Sequence, residues 1–148
     1  MKKLLIAAAF AAASTMSAQA GMITKTSANS VAVTIDKLAA AVEKAGAKVF
    51  ARVDHAKGAA SVGSDLRPTQ MLMFGSPKLG TPAMQAGQSM GLDLPLRVVA
   101  WETADGTVMV GYHDPADVAA LHELPADHPT IAKMNGALGK LTGVATAK

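Results

Sequence analysis

The chain has no cysteine. Disulfides, thiolate zinc sites, iron–sulfur clusters and a cysteine nucleophile are therefore excluded. Aromatic residues make up only 3%, with a single tryptophan, Trp101, and a single tyrosine, Tyr112, so few rings are available for a binding box. Neither sign of charge dominates. Charged residues are 17% of the chain, the net charge is +3, and the three arginines are scattered at Arg52, Arg67 and Arg97. That pattern is no basic footprint for nucleic acid. Beyond the N-terminus no long apolar run occurs, so no later segment is expected to span a membrane. Internal repeats and low-complexity linkers are also missing. What remains is a chain of 148 residues, half of them apolar, which suits one domain with a real core.

The N-terminus has the layout of a secretory signal. Lys2 and Lys3 precede an apolar run from Leu4 to Ala13, and Ala18-Gln19-Ala20 fits the small-x-small cleavage rule, leaving Gly21 first. The run is shorter than the roughly 20 residues that a spanning helix needs. No cysteine follows it, so a lipoprotein anchor is excluded. The expected domains are a signal peptide over 1–20 and one folded unit over 21–148, periplasmic or secreted. Without Lys2 and Lys3 the net charge of +3 falls to +1.

Periodicity supplies the elements. Residues 22–28 alternate as a first strand. Ser30 is placed to cap a helix whose stripe is Val31, Ile35, Leu38 and Val42, with Gly46 as its stop. Lys48 to Val53 alternates, putting Val49, Ala51 and Val53 on one face and Lys48, Phe50 and Arg52 on the other. Phe50 on that charged face points to cover by another subunit. Residues 54–63 form a short helix or loop. Gln70 to Phe74 is almost wholly apolar and reads as a central strand buried on both faces. Ser76-Pro77 and Thr81-Pro82 start one interrupted helix, or two short ones, over 77–88. Leu94–Glu102 and Thr107–His113 form a hairpin, with Asp105-Gly106 as a type I′ turn. Asp114-Pro115 caps a short helix. His128-Pro129 opens a C-terminal helix over about 129–145, with the stripe Ile131, Met134, Leu138, Leu141 and Val144. Gly136, Gly139 and Gly143 weaken that helix, so it holds only if docked.

Several motifs resemble a known family in order and spacing. They are Asp54-His55, Leu66-Arg67-Pro68-Thr69, Phe74-Gly75-Ser76-Pro77-Lys78, Gly80-Thr81-Pro82 with Met84-Gln85, Leu92-Asp93-Leu94-Pro95-Leu96, Trp101-Glu102 and Asp114-Pro115. Over about 30–123 the chain is similar to the family known as domain of unknown function 302. Its members usually carry Asn where Ser76 stands, and often Asn where His113 stands. The resemblance implies a compact α+β domain with a mostly antiparallel or mixed sheet, helices packed on it and a docked C-terminal helix. It also implies a homodimer, and no activity or cofactor.

Candidate site residues follow from chemistry. Asp54-His55 and His113-Asp114 stand at predicted strand ends, where a carboxylate from one strand could orient an imidazole from another for acid–base work. Asp54 and Asp114 also suit the capping of the turns behind them. Ser76 begins a helix, where backbone N–H groups can hold an anion or the serine can cap. Histidine and methionine without cysteine, in an exported protein, invite copper, with His55, His113 and Met84 as candidate ligands. His122 and His128 flank a loop and are expected in solvent. The leading expectation is a non-enzymatic small-ligand binding or sensing module, with its pocket near Asp54, His55, His113 and Asp114. A metal-handling protein, a His/Asp acid–base enzyme and a structural partner protein are the alternatives.

Overall fold

The computed structural model describes residues 21–125 and 127–148. The expected signal segment 1–20 lies outside the described residues. Five strands, β1 (Met22–Ser27), β2 (Lys48–Asp54), β3 (Thr69–Gly75), β4 (Leu96–Glu102) and β5 (Val108–His113), form one sheet in the order β1-β5-β4-β3-β2. Every neighbouring pair is antiparallel. Among the described residues five helices, α1 (Val31–Lys44), α2 (His55–Ala60), α3 (Pro77–Ala86), α4 (Pro115–Leu121) and α5 (Pro129–Thr146), and a 3₁₀ segment over Gln88–Leu92 complete a single α+β domain.

The alternating antiparallel pairs leave β1 and β2 parallel on opposite edges, so α1 must cross the sheet between them. Its start is fixed by Ser30, whose Oγ accepts from the Val33 N–H at 3.3 Å. Its stripe, Val31, Ile35, Leu38 and Val42, is buried against Leu72, Phe74, Val98 and Val110. Gly46 adopts φ +74°, the left-handed conformation that ends the helix at little cost.

The C-terminal helix is docked beside α1. Lys25 Nζ donates to Gly139 O at 2.8 Å and to Thr142 Oγ1 at 2.7 Å, and the Ala28 N–H donates to Thr146 O. The expected stripe holds through Leu141 and then shifts: Ala145 is buried, whereas Val144 is 51% exposed. Gly136, Gly139 and Gly143 have open space where a side chain would start, so they weaken the helix without serving close packing. Toward its start α5 meets a second core of Ala83, Met90, Ala119, Leu124, Ile131 and Met134, formed with α3, the 3₁₀ segment and α4.

Three local expectations change. The first is β2, where a bulge between Val49 and Ala51 interrupts the alternation. Val49 pairs with Phe74 and Arg52 with Leu72, while Ala51 and Val53 pair with Met73 and Met71 on the other face. Arg52 thus sits on the helix side, paired with Asp36 and holding Gln70 Oε1. The second is β3, which is buried on one face only: Leu72 and Phe74 are in the core, but Met71 and Met73 are half-buried. The third is the hairpin turn. Among the described non-glycine residues only Glu123 has positive φ, so Asp105 does not take the type I′ conformation. Instead the Gly106 N–H bonds to Thr103 O, and Gly106 at φ +82° leads into β5, a longer loop built on an ordinary turn.

Candidate functional site

The two expected His/Asp pairs do not share a pocket. Asp54 pairs across the sheet with Gln70, Gln70 with Ala100, and Ala100 with Val110. Because β5 runs against β2, the chain then carries His113-Asp114 and Asp54-His55 to opposite ends of the sheet, with β3 and β4 between them. Each pair is used locally. Asp54 Oδ1 caps α2 by accepting from the Lys57 N–H at 2.9 Å, and its Oδ2 accepts from Gln70 Nε2. Asp114 Oδ1 caps α4 through the Ala116 N–H at 2.8 Å and accepts from Asn135 Nδ2 at 3.2 Å. His113 Nδ1 lies 3.2 Å from Gly21 O, and both His55 and His113 are exposed. The same separation keeps His55 and His113 from ligating one metal ion. Among the described residues no group of three or more His, Asp or Glu is placed to hold one.

A different cavity does form, at the sheet end where β3 leaves and β4 enters. It measures about 260 Å³ and is walled by Phe50, Leu79, Met84, Leu94, Leu96 and Met134, with the chain turn Gly75-Ser76-Pro77 at its rim. The β2 bulge helps to build it, because it releases Phe50 from the strand alternation. The Phe50 ring comes 3.8 Å from the point a Gly75 Cβ would occupy. Gly80 and Gly91 also line the wall. A Cβ at Gly80 would lie 3.6 Å from Leu94, and one at Gly91 would lie 3.5 Å from Met84 Sδ. Larger side chains at either position would take up cavity space.

The lining is apolar apart from the Ser76 and Thr81 hydroxyls, and it holds no charged residue. Ser76 makes no side-chain capping hydrogen bond to α3, although Pro77 follows it as expected. Pro77 removes one of the backbone N–H groups that an anion at this helix start could use. Two of the sequence candidates, Ser76 and Met84, therefore meet here, together with Phe50. No histidine joins Met84 in the lining, so a mixed imidazole–thioether site is not assembled in this cavity. The arrangement suits a small neutral molecule with an apolar body and a hydrogen-bonding group.

Trp101 and Tyr112 lie on opposite faces of the hairpin and share no aromatic box. Tyr112 faces the helices and is 5% exposed, and its burial raises the phenol pKa. Trp101 lies on the opposite face over Gly111, where a Cβ would come within 3.0 Å of the indole ring.

Beside the cavity, the 3₁₀ segment carries a polar cluster that sequence reasoning missed. His122 was expected in solvent, yet its side chain is only 6% exposed. Its Nε2 lies 2.8 Å from Asp93 Oδ2 and its Nδ1 2.9 Å from Ser89 Oγ. Asp93 also accepts from Arg97 Nη2 at 2.7 Å. The His122 hydrogen bond, aided by Arg97 and opposed by partial burial, holds the Asp93 carboxyl below its usual pKa. His128 is likewise engaged, accepting from the Thr130 N–H to cap α5.

These features define a five-stranded antiparallel sheet with helices and an apolar cavity at its end. The chain belongs to the family described as domain of unknown function DUF302, whose family model matches residues 23–141. A solved structure of that class, the uncharacterized conserved protein DUF302 from Bacillus stearothermophilus, superposes with a TM-score of 0.77 at 18% identity. The match covers 85% of this chain and 98% of that one. Among curated proteins, the fluoride-specific ion channel FluC 1 of Brucella suis is 45% identical over 104 residues, covering 70% of this chain and 41% of the relative. FluC 2 of Brucella melitensis matches at the same identity, with 38% of its length covered. The chain thus spans about two fifths of the curated relatives it matches.

Proposed function

We propose that this protein is a binding or sensing module for a small, neutral, mainly apolar molecule. The observation that carries the reading is the cavity of about 260 Å³ whose walls are apolar and whose polar contacts are the Ser76 and Thr81 hydroxyls. Its size is just below the roughly 300–1,000 Å³ typical of small-molecule sites, so the ligand is small. Proteins named as fluoride-specific ion channels carry a matching stretch within a longer chain. That setting fits a self-contained module joined to other machinery. Among the described residues no helix is long and apolar enough to cross a membrane, so ion conduction is not part of the reading.

Calorimetric titration with 1-naphthol, an apolar ring system with one hydroxyl, tests the proposal. Wild-type protein is expected to bind one molecule, and Gly91→Leu to bind none while melting at the wild-type temperature. No binding to wild type, or equal binding to the filled variant, would contradict it. The reading also places the protein in the periplasm as a homodimer. Mass spectrometry of protein taken from that compartment is expected to find a chain starting at Gly21 and twice its mass under native conditions.

A further inference from the structure

We propose that Ser89, backed by His122 and Asp93, is an acyl-accepting nucleophile, and that this surface hydrolyses esters of small apolar acids. Asp93 is ionised at neutral pH, because its pKa lies below the usual value and two donors, His122 and Arg97, reach its oxygens. An ionised carboxylate only accepts hydrogen bonds. His122 Nε2, 2.8 Å away, must therefore carry the proton. In the neutral ring that leaves Nδ1 with its lone pair, facing Ser89 Oγ at 2.9 Å. The serine hydroxyl is then the donor, with its proton aimed at a base held in one tautomer by a partly buried carboxylate. Nucleophile, base and orienting acid stand in the order that acyl transfer requires.

Exposure supports the assignment. Ser89 faces solvent, whereas the imidazole behind it is 6% exposed. The reactive oxygen is accessible and the base is shielded. Leu92 and Leu121, on the two elements that the Ser89–His122 bond joins, are 82% and 77% exposed. Leu92 follows Ser89 by three positions in the 3₁₀ segment, where side chains at that spacing eclipse. An apolar acyl chain beside the serine oxygen can lie against such leucines.

Ser89 Oγ bonds to the ester carbonyl carbon as its proton passes to His122 Nδ1 and the C=O pair moves onto oxygen. Collapse restores the C=O, breaks the bond to the leaving oxygen and returns the proton to it. Water then repeats the sequence on the acyl-serine, releasing the acid and Ser89. The three side chains supply nucleophile, base and orienting charge, which suits esters with good leaving groups rather than amides.

The inference does not rest on the cavity, and the test keeps the two apart. p-Nitrophenyl butyrate is mixed with wild-type, Ser89→Ala and His122→Gln proteins, and p-nitrophenolate release is followed together with mass mapping of the acylated peptide. Wild type is expected to release p-nitrophenolate with a butyryl adduct at Ser89. Ser89→Ala should lose that adduct yet still bind 1-naphthol, which also reports that it is folded. His122→Gln should acylate at least about a hundredfold more slowly, the usual minimum for a lost general base. No adduct at Ser89, or acylation of His122→Gln at the wild-type rate, would overturn the proposal.

Discussion

Leu138→Ala tests whether α5 is held by the core. Leu138 is 1% exposed and packs in the main core with the α1 stripe and the inner face of the sheet. Truncation removes buried methyl groups and leaves a cavity that a helix pinned at both ends cannot easily close. Such changes cost about 2–5 kcal/mol. The pins are the Asp114–Asn135 bond near one end and the Lys25 and Asn29 contacts near the other. At roughly 3–4 °C per kcal/mol for a domain of this size, the melting temperature should fall by about 10 °C. Val144→Ala is the internal control. Val144 is 51% exposed, and alanine is the better helix former by about half a kcal/mol, so this variant should be neutral or slightly more stable. Urea unfolding of both variants gives the free energies directly. A loss below about 1 kcal/mol for Leu138→Ala, or equal losses for both, would refute the docking and register of α5 described above.

Two further predictions concern the sheet and the polar cluster. Gly111→Ala places a Cβ 3.0 Å from the Trp101 ring, so the indole must shift; the emission of this single tryptophan should change and stability should drop by about 1–3 kcal/mol. Unchanged emission and stability would mean that the ring does not lie on Gly111. For Asp93, the folded carboxyl titrates below its usual 3.8, so its contribution is present above that pH and is lost as pH falls through the lower, folded value. The stability gap between wild type and Asp93→Asn should therefore narrow in acid below about pH 4, as read by urea midpoints across pH. A constant gap would indicate that Asp93 titrates normally.

The main architecture was legible because it is written in local signals. The α1 stripe, the Ser30 cap, the Asp114-Pro115 start and the two hairpin strands each depend on residues within a few positions of one another, and each appears where its pattern lies. What failed depended on partners distant in sequence. The β2 alternation is broken by a bulge whose position is set by pairing with β3. Val144 and Ala145 exchange places because the docking of α5 against the sheet and α1 decides which side of its last turn is covered. The expected His/Asp site needed β2 and β5 as neighbours, and only the strand order could reveal that β3 and β4 intervene. Ser76 and Met84 were singled out as an anion-binding or capping serine and a metal ligand, yet they line one apolar cavity. Nothing local could pair His122 with Asp93 across 29 positions of sequence.

The most direct test of the binding account is an amide NMR titration of isotopically labelled protein with 1-naphthol. Glycine amides serve as reporters because Gly75, Gly80 and Gly91 line the cavity, while Gly136, Gly139 and Gly143 lie on the open side of α5. The account predicts saturable shifts at Gly75, Gly80, Gly91 and Thr81, with the three α5 glycines unmoved. Saturable shifts confined to other positions, or none at all, would contradict the assignment of this cavity as the binding site.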